Sequence, residues 1–345
     1  NDNDNDNDND DHAVPTMSTS AIILAAGKST RMKSARPKPI HEICGRPMLQ
    51  WVLDACYGAG VDHVYVVIGH GRDEIMSAFG HDKRITWVEQ TEQLGTGHAA
   101  RMVVPHLEKH PGGDVFILAG DGPLIRSQVL QTLQRAHHDE RAAASMATAV
   151  LDDPTGYGRI IRDDAGDFIE IVEQADGTHE QLAIREVFPS YYCLKTSELL
   201  FALPRLKNEN RKREYYLTDV FAVLKQAGRK IAAIQAVTAE DVLAVNTRVE
   251  QAEVDAIMQD RVQRELRQAG VTIVSAHATY IEAGASIGAD TTVHPFSFVG
   301  RGASIGRECV IGPFAVIPRD AVVPDGTTVA GNVSPETARL VGGGA

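Results

Sequence analysis

The feature that most constrains the fold of this chain is a six-residue repeat near its C-terminus. An aliphatic residue returns at every sixth position, and the nine repeated positions are Ile281, Ile287, Val293, Val299, Ile305, Ile311, Ile317, Val323 and Val329. Small and turn-forming residues lie between them, and this combination is typical of a parallel β-helix in which each hexad supplies one short strand. The repeat therefore predicts a β-helix over residues 271–333.

This segment resembles the hexapeptide-repeat proteins, and that resemblance implies a left-handed β-helix with three hexads in each triangular coil. The nine hexads would then form about three coils. A stack this short buries little apolar surface alone, so we expect it to pack on the preceding helix, on the N-terminal domain or on copies of itself. A homo-trimer formed through the β-helix is one assembly that the resemblance implies.

An amphipathic helix is predicted immediately before the repeat. Between Val249 and Leu266, apolar residues recur every three to five positions among Glu, Gln and Arg. This is the spacing of a helix with one buried face, and Gly270 is expected to end it. We therefore assign residues 249–270 to a connecting helix.

Residues 17–248 alternate short β-rich runs with helical stretches. Strands are predicted at 21–24, 63–68, 85–88 and 114–118, and helices at 48–59 and 97–107. This alternation predicts an α/β domain with a Rossmann-like, mostly parallel sheet covered by helices. Ligands bind at the carboxyl ends of the strands in such sheets, where Gly27 and Asp121 are expected to lie.

Composition argues against several classes of function. Residues 1–16 open with an Asn-Asp alternation that predicts an added or disordered tail, with Met17 as a plausible native start, and residues 334–345 are expected to be a flexible tail. Six aspartates of the first tail supply half of the net charge of −12, so the mildly acidic body is not expected to bind nucleic acid. No run is long and apolar enough for a membrane span, and no secretory signal is visible. Four scattered cysteines suit reduced thiols in a cytoplasmic protein.

A glycine-containing loop from Leu24 to Lys38 follows the first predicted strand. Its small-residue turn lets backbone N–H groups approach a phosphate, and its cations neutralise the phosphate charge. It is not a P-loop, because Ile22 stands where that motif requires its first glycine. The later Gly69-His70-Gly71 is not a dinucleotide fingerprint either, because Glu74 replaces the third glycine.

With its flanking residues this loop resembles the signature of the sugar-phosphate nucleotidylyltransferases. The signature reads LAAGKSTRM at 24–32 and PKP at 37–39. In particular, the chain is similar to the N-terminal half of the bifunctional N-acetylglucosamine-1-phosphate uridyltransferase/glucosamine-1-phosphate acetyltransferases. Six further segments occur in the order of that family over roughly 230 residues: EQLGTGHA at 92–99, GDGPL at 120–124, DDPTGYGRI at 152–160, IVE at 171–173, EYYLTD at 214–219 and VNTR at 245–248.

The resemblance implies a role for each matching site residue. Arg31 and Lys38 would hold the phosphates and offset the charge on departing pyrophosphate, and Asp121 completes the catalytic set. Asp121 and Asn246 would bind Mg²⁺, whose preference for hard oxygen ligands they satisfy. The nucleotide would be held by Leu24, Ala25, Ala26, Gly27, Gln90, Gly95 and Thr96. The sugar would be contacted by Gly158, Glu173, Tyr216 and Thr218, and by the residue at position 188, which is Phe188.

The chemistry of nucleotidyl transfer agrees with this set of residues. One phosphate oxygen attacks the α-phosphorus in line while pyrophosphate leaves. The nucleophile is already anionic, so the reaction needs no general base, and catalysis depends mainly on positioning and on cationic or metal stabilisation. A site with Arg, Lys, Asp and Asn meets that demand.

Several of these residues also have structural interpretations. Asp121 and Asn246 could cap a turn or a helix. Glu173 could be an ordinary carboxylate of an edge strand, and Gln90 a surface glutamine. A structural role is the preferred interpretation of His98.

The chain departs from the uridyltransferase pattern near the expected sugar. Phe188 stands where the family has an asparagine that hydrogen-bonds the sugar, and an aromatic ring cannot supply an amide's donor and acceptor. Ala119 stands where a tyrosine is frequent. Such changes can alter the choice of sugar strongly. The repeat segment is also shorter than the family's acetyltransferase domain, so acetyl transfer is not expected.

Three functions remain open. The first is Mg²⁺-dependent transfer from UTP to a sugar 1-phosphate, with N-acetylglucosamine 1-phosphate as the best guess. The second keeps this chemistry with another acceptor, such as glucose 1-phosphate or a non-sugar phosphate. The third is a non-catalytic regulatory subunit that binds sugar nucleotide, and intact Lys38, Asp121 and Asn246 argue against it.

Overall fold

The computed structural model describes residues 18–28 and 30–331. The predicted tails at 1–16 and 334–345, the suggested start at Met17, Ser29 of the glycine-containing loop and the last positions of the predicted β-helix segment lie outside the described residues.

The strands that precede the connecting helix are β1 (Thr19–Leu24), β2 (Glu42–Ile43), β3 (Arg46–Pro47), β4 (His63–Ile68), β5 (Ile85–Glu89), β6 (Asp114–Ala119), β7 (Ala144–Val150), β8 (Gly158–Arg162), β9 (Phe168–Val172), β10 (Glu186–Lys195) and β11 (Ile231–Gln235). The helices are α1 (Met48–Gly58), α2 (Arg72–Phe79), α3 (Thr96–Arg101), α4 (Val104–Leu107), α5 (Ser127–Asp139), α6 (His179–Leu182), α7 (Thr196–Ala202), α8 (Asp219–Gln226) and α9 (Arg248–Gln268). Short 3-10 turns lie at Thr30–Met32, Lys38–Ile40, Leu203–Arg205, Glu240–Val242 and Ala276–Ala278.

The main sheet has the strand order β11-β7-β10-β6-β1-β4-β5. Strand β1 pairs in parallel with β4 and β6, and β4 pairs in parallel with β5. Strand β10 is antiparallel to both of its neighbours, β6 and β7, and β8 and β9 extend from it as a side branch. The predicted α/β fold is confirmed, and β10 makes the mostly parallel sheet a mixed one.

Both faces of the sheet are covered, as a largely parallel sheet requires. In β1, Ala21 and Ile23 belong to the apolar cluster that includes residues of α1 and α5. Ile22, which points to the other face, belongs to the cluster that includes residues of α7 and α8. Because successive side chains alternate between faces, a continuous apolar run such as Ala21–Ile23 fits a strand buried on both sides.

The predicted helix at 97–107 is wrong in one respect, because two short helices occupy this segment. Helix α3 ends at Arg101 and α4 begins at Val104. Pro105 lies in the first turn of α4. Proline has no backbone N–H and therefore cannot continue the hydrogen-bond ladder of a preceding turn, but it is tolerated where a new helix begins.

Helix α9 connects the sheet domain to the repeat segment. Thr247 caps its N-terminus in a capping box with Glu250, and the helix ends before Gly270, whose φ of +94° suits glycine. Its buried residues Val254 and Met258 pack in one apolar cluster with residues of the N-terminal region. Val249, which the periodicity includes in the buried face, is exposed instead.

The repeat segment forms short parallel strands that are stacked in coils. The strands are β12 (Thr272–Ile273), β13 (Tyr280–Ile281), β14 (Ser286–Ile287), β15 (Thr292–Val293), β16 (Phe298–Val299), β17 (Ser304–Ile305), β18 (Val310–Ile311), β19 (Val316–Ile317), β20 (Val322–Val323) and β21 (Thr328–Val329). Each pairs with the third strand along the chain, so three strands make one coil. All nine repeated aliphatic residues are buried, which confirms the predicted β-helix.

The β-helix packs on both α9 and the N-terminal region, as expected for a short stack. The Gln259 amide of α9 bonds to both backbone groups of Ile281, at 2.7 and 3.1 Å. Arg319 of the β-helix bonds to Glu42 in β2 at 3.1 Å.

Among the described helices, none is both long and apolar enough to cross a bilayer.

Candidate active site

The candidate site lies at the carboxyl ends of β1 and β6, which are neighbours in the sheet. The Gly120 amide donates to the Leu24 carbonyl at 2.9 Å, so the two strand ends are joined. A β-carbon at Gly120 would lie 3.1 Å from the Ala25 β-carbon and 3.2 Å from the Leu24 carbonyl oxygen. This close approach explains the glycine, and it places Asp121 directly beside the small-residue turn that follows β1.

Four predicted site residues meet at this edge of the sheet. The Lys38 ammonium nitrogen lies 2.6 Å from Asp121 Oδ2 and 3.0 Å from Asn246 Oδ1. Arg31 donates to the same Asn246 oxygen at 3.0 Å. The Lys38 side chain is only 11% exposed and that of Asp121 is 29% exposed, so this pair is largely shielded from water, whereas Arg31 is exposed. Two cations therefore converge with two oxygen ligands.

Asn246 is brought to Asp121 by the chain that leads into α9. The Val245 amide donates to the Asp121 backbone carbonyl at 2.9 Å. The helix is capped by Thr247 and not by Asn246, so the Asn246 side chain is available to the site. The Glu250 carboxylate accepts hydrogen bonds from the backbone N–H of Asn246 at 2.7 Å and from the backbone N–H of Thr247 at 2.6 Å.

A cleft of about 700 Å³ opens beside this cluster. From the predicted nucleotide set it is lined by Leu24, Ala26, Gly27, Gln90, Gly95 and Thr96. Ala25 lines an adjoining recess of about 60 Å³ together with Gly27, Lys38 and Asp121. The structure therefore gathers all seven predicted nucleotide residues around two connected openings.

Gln90 is held in a fixed orientation at the cleft. It is 5% exposed, which excludes an ordinary surface glutamine. Its Nε2 lies 3.2 Å from the Gly95 carbonyl and 3.0 Å from His98 Nδ1. His98 therefore contacts Gln90, and its structural role stays a prediction.

The Gly95-Thr96 turn is tied to the segment before α8. Gly95 has a φ of +106°, and a β-carbon there would lie 2.6 Å from the Tyr215 carbonyl oxygen. The Leu217 amide donates to Thr96 Oγ1 at 3.1 Å. Only glycine combines this backbone conformation with so close an approach, and the contact joins the two ends of the cleft.

The predicted sugar end of the cleft contains Glu173, Tyr216 and Thr218. Thr218 Oγ1 donates to Glu173 Oε1 at 3.2 Å. Burial raises the pKa of Glu173 above its usual value, while the Thr218 hydrogen bond and the charge of Lys212 act in the opposite direction. A shielded carboxylate of this kind can accept hydrogen bonds from sugar hydroxyls.

Two of the predicted sugar residues do not line the cleft. Gly158 lies behind it, where a β-carbon would be 2.9 Å from the Ile171 side chain and 3.7 Å from Glu173 Oε2. Phe188 is 4% exposed and packs edge-to-face on Tyr192, with ring centroids 4.7 Å apart. A sugar contact is predicted for Phe188, but its ring is part of the core and does not line the cleft in this structure. Ala119, the other departure, does line the cleft.

Several cleft residues were not singled out from the sequence. Gln93 donates to the Ala26 carbonyl at 2.8 Å, and it stands inside the EQLGTGHA segment that was recognised. Ser190, Tyr192 and Lys212 line the cleft without any sequence signal that would mark them. The capping role of Glu250 could have been predicted from the sequence, because Thr247 and Glu250 have the Thr-x-x-Glu spacing of a capping box.

The donors at the cluster fit a magnesium ion. A carboxylate and an amide oxygen both lie within 3.0 Å of one ammonium nitrogen, so a cation already occupies the space between them. Hard oxygen donors at such a position are what Mg²⁺ prefers, with waters and substrate phosphates as its remaining ligands.

Comparisons with known proteins agree with this geometry. The family described as "MobA-like NTP transferase domain" matches residues 21–216, which is more than half of the chain, and "Bacterial transferase hexapeptide (six repeats)" matches residues 284–319. The chain is 43% identical over 279 residues to the "Bifunctional protein GlmU" of Brevibacillus brevis. It is 42% identical over 279 residues to the protein of the same name from Alkaliphilus metalliredigens.

Each of these alignments covers 81% of this chain and 60% of the relative, so the chain spans about three fifths of the length of the curated relatives it matches. The match to residues 21–216 includes Leu24 at the end of β1, and also Gln90 and Asp121, which follow β5 and β6. The chain belongs to the MobA-like NTP transferase family, and a hexapeptide-repeat β-helix follows its transferase domain.

Proposed function

We propose that this protein transfers a uridylyl group from UTP to a sugar 1-phosphate with the help of Mg²⁺, and that N-acetylglucosamine 1-phosphate is the preferred acceptor. The observation that carries the proposal is the convergence of Lys38, Asp121 and Asn246 at the strand ends beside the cleft. The choice of UTP and of the acceptor rests on the resemblance to the uridyltransferase family. The geometry brings together the charged side chains that phosphoryl transfer needs.

The reaction would form a bond between an acceptor phosphate oxygen and the α-phosphorus of UTP as the bond to pyrophosphate breaks. Arg31 and Lys38 would bind the triphosphate and stabilise the negative charge that builds up on the leaving pyrophosphate. Their side chains are oriented before substrate arrives, because both donate to Asn246. Preorientation of this kind reduces the cost of reaching the transition state.

Asp121 and Asn246 would hold the magnesium ion, which supplies further charge stabilisation to the phosphates. A cation between these two oxygens would compete with the Lys38 ammonium. Lys38 would then exchange Asp121 for a phosphate oxygen, a change that its flexible stem allows.

At the nucleotide end, Gln90, Gly95 and Thr96 are placed to read a base edge. Gln90 already uses its amide nitrogen on Gly95 and His98. Its carbonyl would be the group that accepts from the imide N–H of uracil, since an amide carbonyl can only accept a hydrogen bond. A preference for UTP over CTP would follow, because cytosine has no such N–H.

The residues at the acceptor end of the cleft depart from the uridyltransferase pattern. Position 188 is a buried phenylalanine and offers no side-chain amide to the sugar, while Ser190, Lys212 and Glu214 line the cleft. This observation favours, as an alternative, the same chemistry with glucose 1-phosphate or another phosphate as acceptor. A regulatory subunit that binds sugar nucleotide without turnover is the remaining alternative.

We infer that the protein works in the cytoplasm and self-associates through its β-helix. The four cysteines are unpaired thiols, as is usual in a reducing compartment. Hexapeptide repeats favour assembly, and Phe296 and Phe314 form an exposed stacked pair on this β-helix, with ring centroids 5.1 Å apart. A homo-trimer is the proposed assembly.

The deciding experiment measures pyrophosphate release with Mg²⁺ over a grid of four nucleoside triphosphates and several sugar 1-phosphates. Highest turnover with UTP and N-acetylglucosamine 1-phosphate supports the proposal. Activity with glucose 1-phosphate but not with N-acetylglucosamine 1-phosphate would show that the proposed acceptor is wrong. No activity across the grid, combined with measurable binding of UDP-sugars, would support the regulatory alternative.

A further inference from the structure

A second group of reactive side chains is buried at the opposite end of β6 from Asp121. Asp114 begins β6, Cys193 lies on the adjacent strand β10, and His137 lies on α5. One potential ligand atom from each of the three lies within 4.8 Å of the other two. The residues are 2%, 0% and 1% exposed, respectively, so this cluster is part of the interior and separate from the cleft.

Two polar atoms in this cluster have no hydrogen-bond partner among the described residues. They are Asp114 Oδ1 and His137 Nε2. The two atoms are 3.6 Å apart, which is longer than a hydrogen bond. Buried polar atoms nearly always have a hydrogen-bond partner, because leaving one unpaired lowers the stability of the fold. Cys193 also brings its sulfur within 4.8 Å of a ligand atom of each of these two residues.

The surroundings of His137 resemble those of a metal-bound histidine. Its Nδ1 lies 2.8 Å from Ser145 Oγ, which leaves Nε2 for another ligand. An outer hydrogen bond that fixes the ring in this way commonly accompanies metal ligation. His138 contacts the other carboxylate oxygen of Asp114, and its side chain is 49% exposed. It therefore offers both a fourth ligand and a route from solvent.

We propose that Asp114, His137 and Cys193 form a structural zinc site, with His138 or a water molecule as the fourth ligand. Thiolate, imidazole and carboxylate are the donors that zinc binds tetrahedrally, and a tetrahedral ion spaces its ligand atoms about 3.5 Å apart. Small side-chain rotations would bring the three atoms to that spacing. The thiolate excludes Mg²⁺, which prefers oxygen. The ion would join β6, β10 and α5 at the edge of the sheet that is remote from the reaction.

The test uses the full chain in a buffer that contains Mg²⁺ and no chelator. Zinc content is measured by plasma mass spectrometry after dialysis, and cobalt is substituted for zinc to record the thiolate charge-transfer band. We expect about one zinc per chain and a cobalt spectrum that shows a sulfur ligand. Removing the zinc should lower the Tm, and restoring it should raise the Tm again.

Two variants and one control test whether these residues bind the metal. Cys193→Ser should abolish the cobalt charge-transfer band, and His137→Gln should weaken zinc binding at least about tenfold. Cys56→Ser is the matched control, because Cys56 is also a buried thiol but lies on α1 outside the cluster. Folded wild-type protein that takes up no zinc or cobalt overturns the proposal. So does a Cys193→Ser variant that binds both metals like wild type. The wild-type measurement decides even where a variant does not fold.

Discussion

Lys38 and Asp121 are 83 residues apart in the chain, yet the Lys38 ammonium nitrogen lies 2.6 Å from Asp121 Oδ2. The pair is largely shielded from water, with side chains 11% and 29% exposed. The same ammonium contacts Asn246. Lys38 therefore neutralises Asp121 at the point where the proposed Mg²⁺ would bind.

Asp121→Ala should reduce turnover by about 10²–10³-fold, because the proposed metal would lose its only charged protein ligand. The rate of pyrophosphate release at saturating substrates measures this effect. Asp164→Asn is the matched control, since Asp164 is exposed and remote from the cluster in the fold. Turnover that survives Asp121→Ala undiminished would show that the metal assignment is wrong.

Glu250 should act as a positioning residue for Asn246. Its carboxylate accepts hydrogen bonds from the backbone N–H groups of Asn246 and Thr247. Glu250→Ala should therefore raise the Mg²⁺ concentration needed for half-maximal activity several-fold. The same change should destabilise the protein by about 1 kcal/mol. Glu250→Gln retains a carbonyl acceptor and should restore the Mg²⁺ dependence. Glu253→Gln, an exposed change on the same helix, is the control. An unchanged Mg²⁺ dependence in Glu250→Ala would exclude this role.

Phe188→Leu should affect stability and leave the choice of acceptor unchanged. The ring packs on Tyr192 and Phe221 inside the core, so its loss should cost about 1–3 kcal/mol. The KM for the acceptor should stay within about twofold, because the side chain does not line the cleft. Chemical unfolding and acceptor kinetics measure the two effects separately. A large change in acceptor preference without loss of stability would contradict the core position of this ring.

Asp219→Asn should stabilise the protein at neutral pH. Burial, and then the carboxylates of Glu173 and Asp176, raise the pKa of Asp219 above its usual 3.8. Ionised Asp219 therefore destabilises the fold, and this cost is absent below about pH 3.8 and complete above the folded-state pKa. We expect the variant to raise the Tm by about 1–3 °C at neutral pH and by less near pH 4. A larger gain in Tm at the acidic pH would show that ionised Asp219 does not destabilise the fold. Asp164→Asn again serves as the control.

Charges introduced at the exposed aromatic pair should disrupt the proposed assembly. Phe296 and Phe314 are 61% and 64% exposed, so Phe296→Asp combined with Phe314→Asp should leave the folded chain intact and reduce its molar mass to that of a monomer. Light scattering coupled to size exclusion measures the mass, and Val249→Asp, an exposed change on α9, is the control. Wild-type protein that is already monomeric would exclude self-association, and an unchanged oligomer in the double variant would move the interface elsewhere.

The local elements were accessible from the sequence because their signals are local. A period of six requires one inward side chain per hexad, and each of the repeated aliphatic residues is buried. Strands β1, β4, β5 and β6 were found within two residues, because apolar runs bounded by polar residues mark strands. The helix at 97–107 was divided by Pro105, a local signal that the apolar spacing concealed.

Only the tertiary structure decided which distant residues meet. The sequence by itself determined the α/β class and the β-helix, since these depend on neighbouring residues and on recognised segments, and it predicted phosphate binding by the loop from Leu24 to Lys38. The antiparallel insertion of β10 between β6 and β7 depends on long-range strand pairing, which no periodicity records. That pairing, with its irregularity between Val187 and Tyr191, buries Phe188 and leaves Ser190 at the cleft. It also brings Cys193 to Asp114, because only the folded sheet joins these two strands.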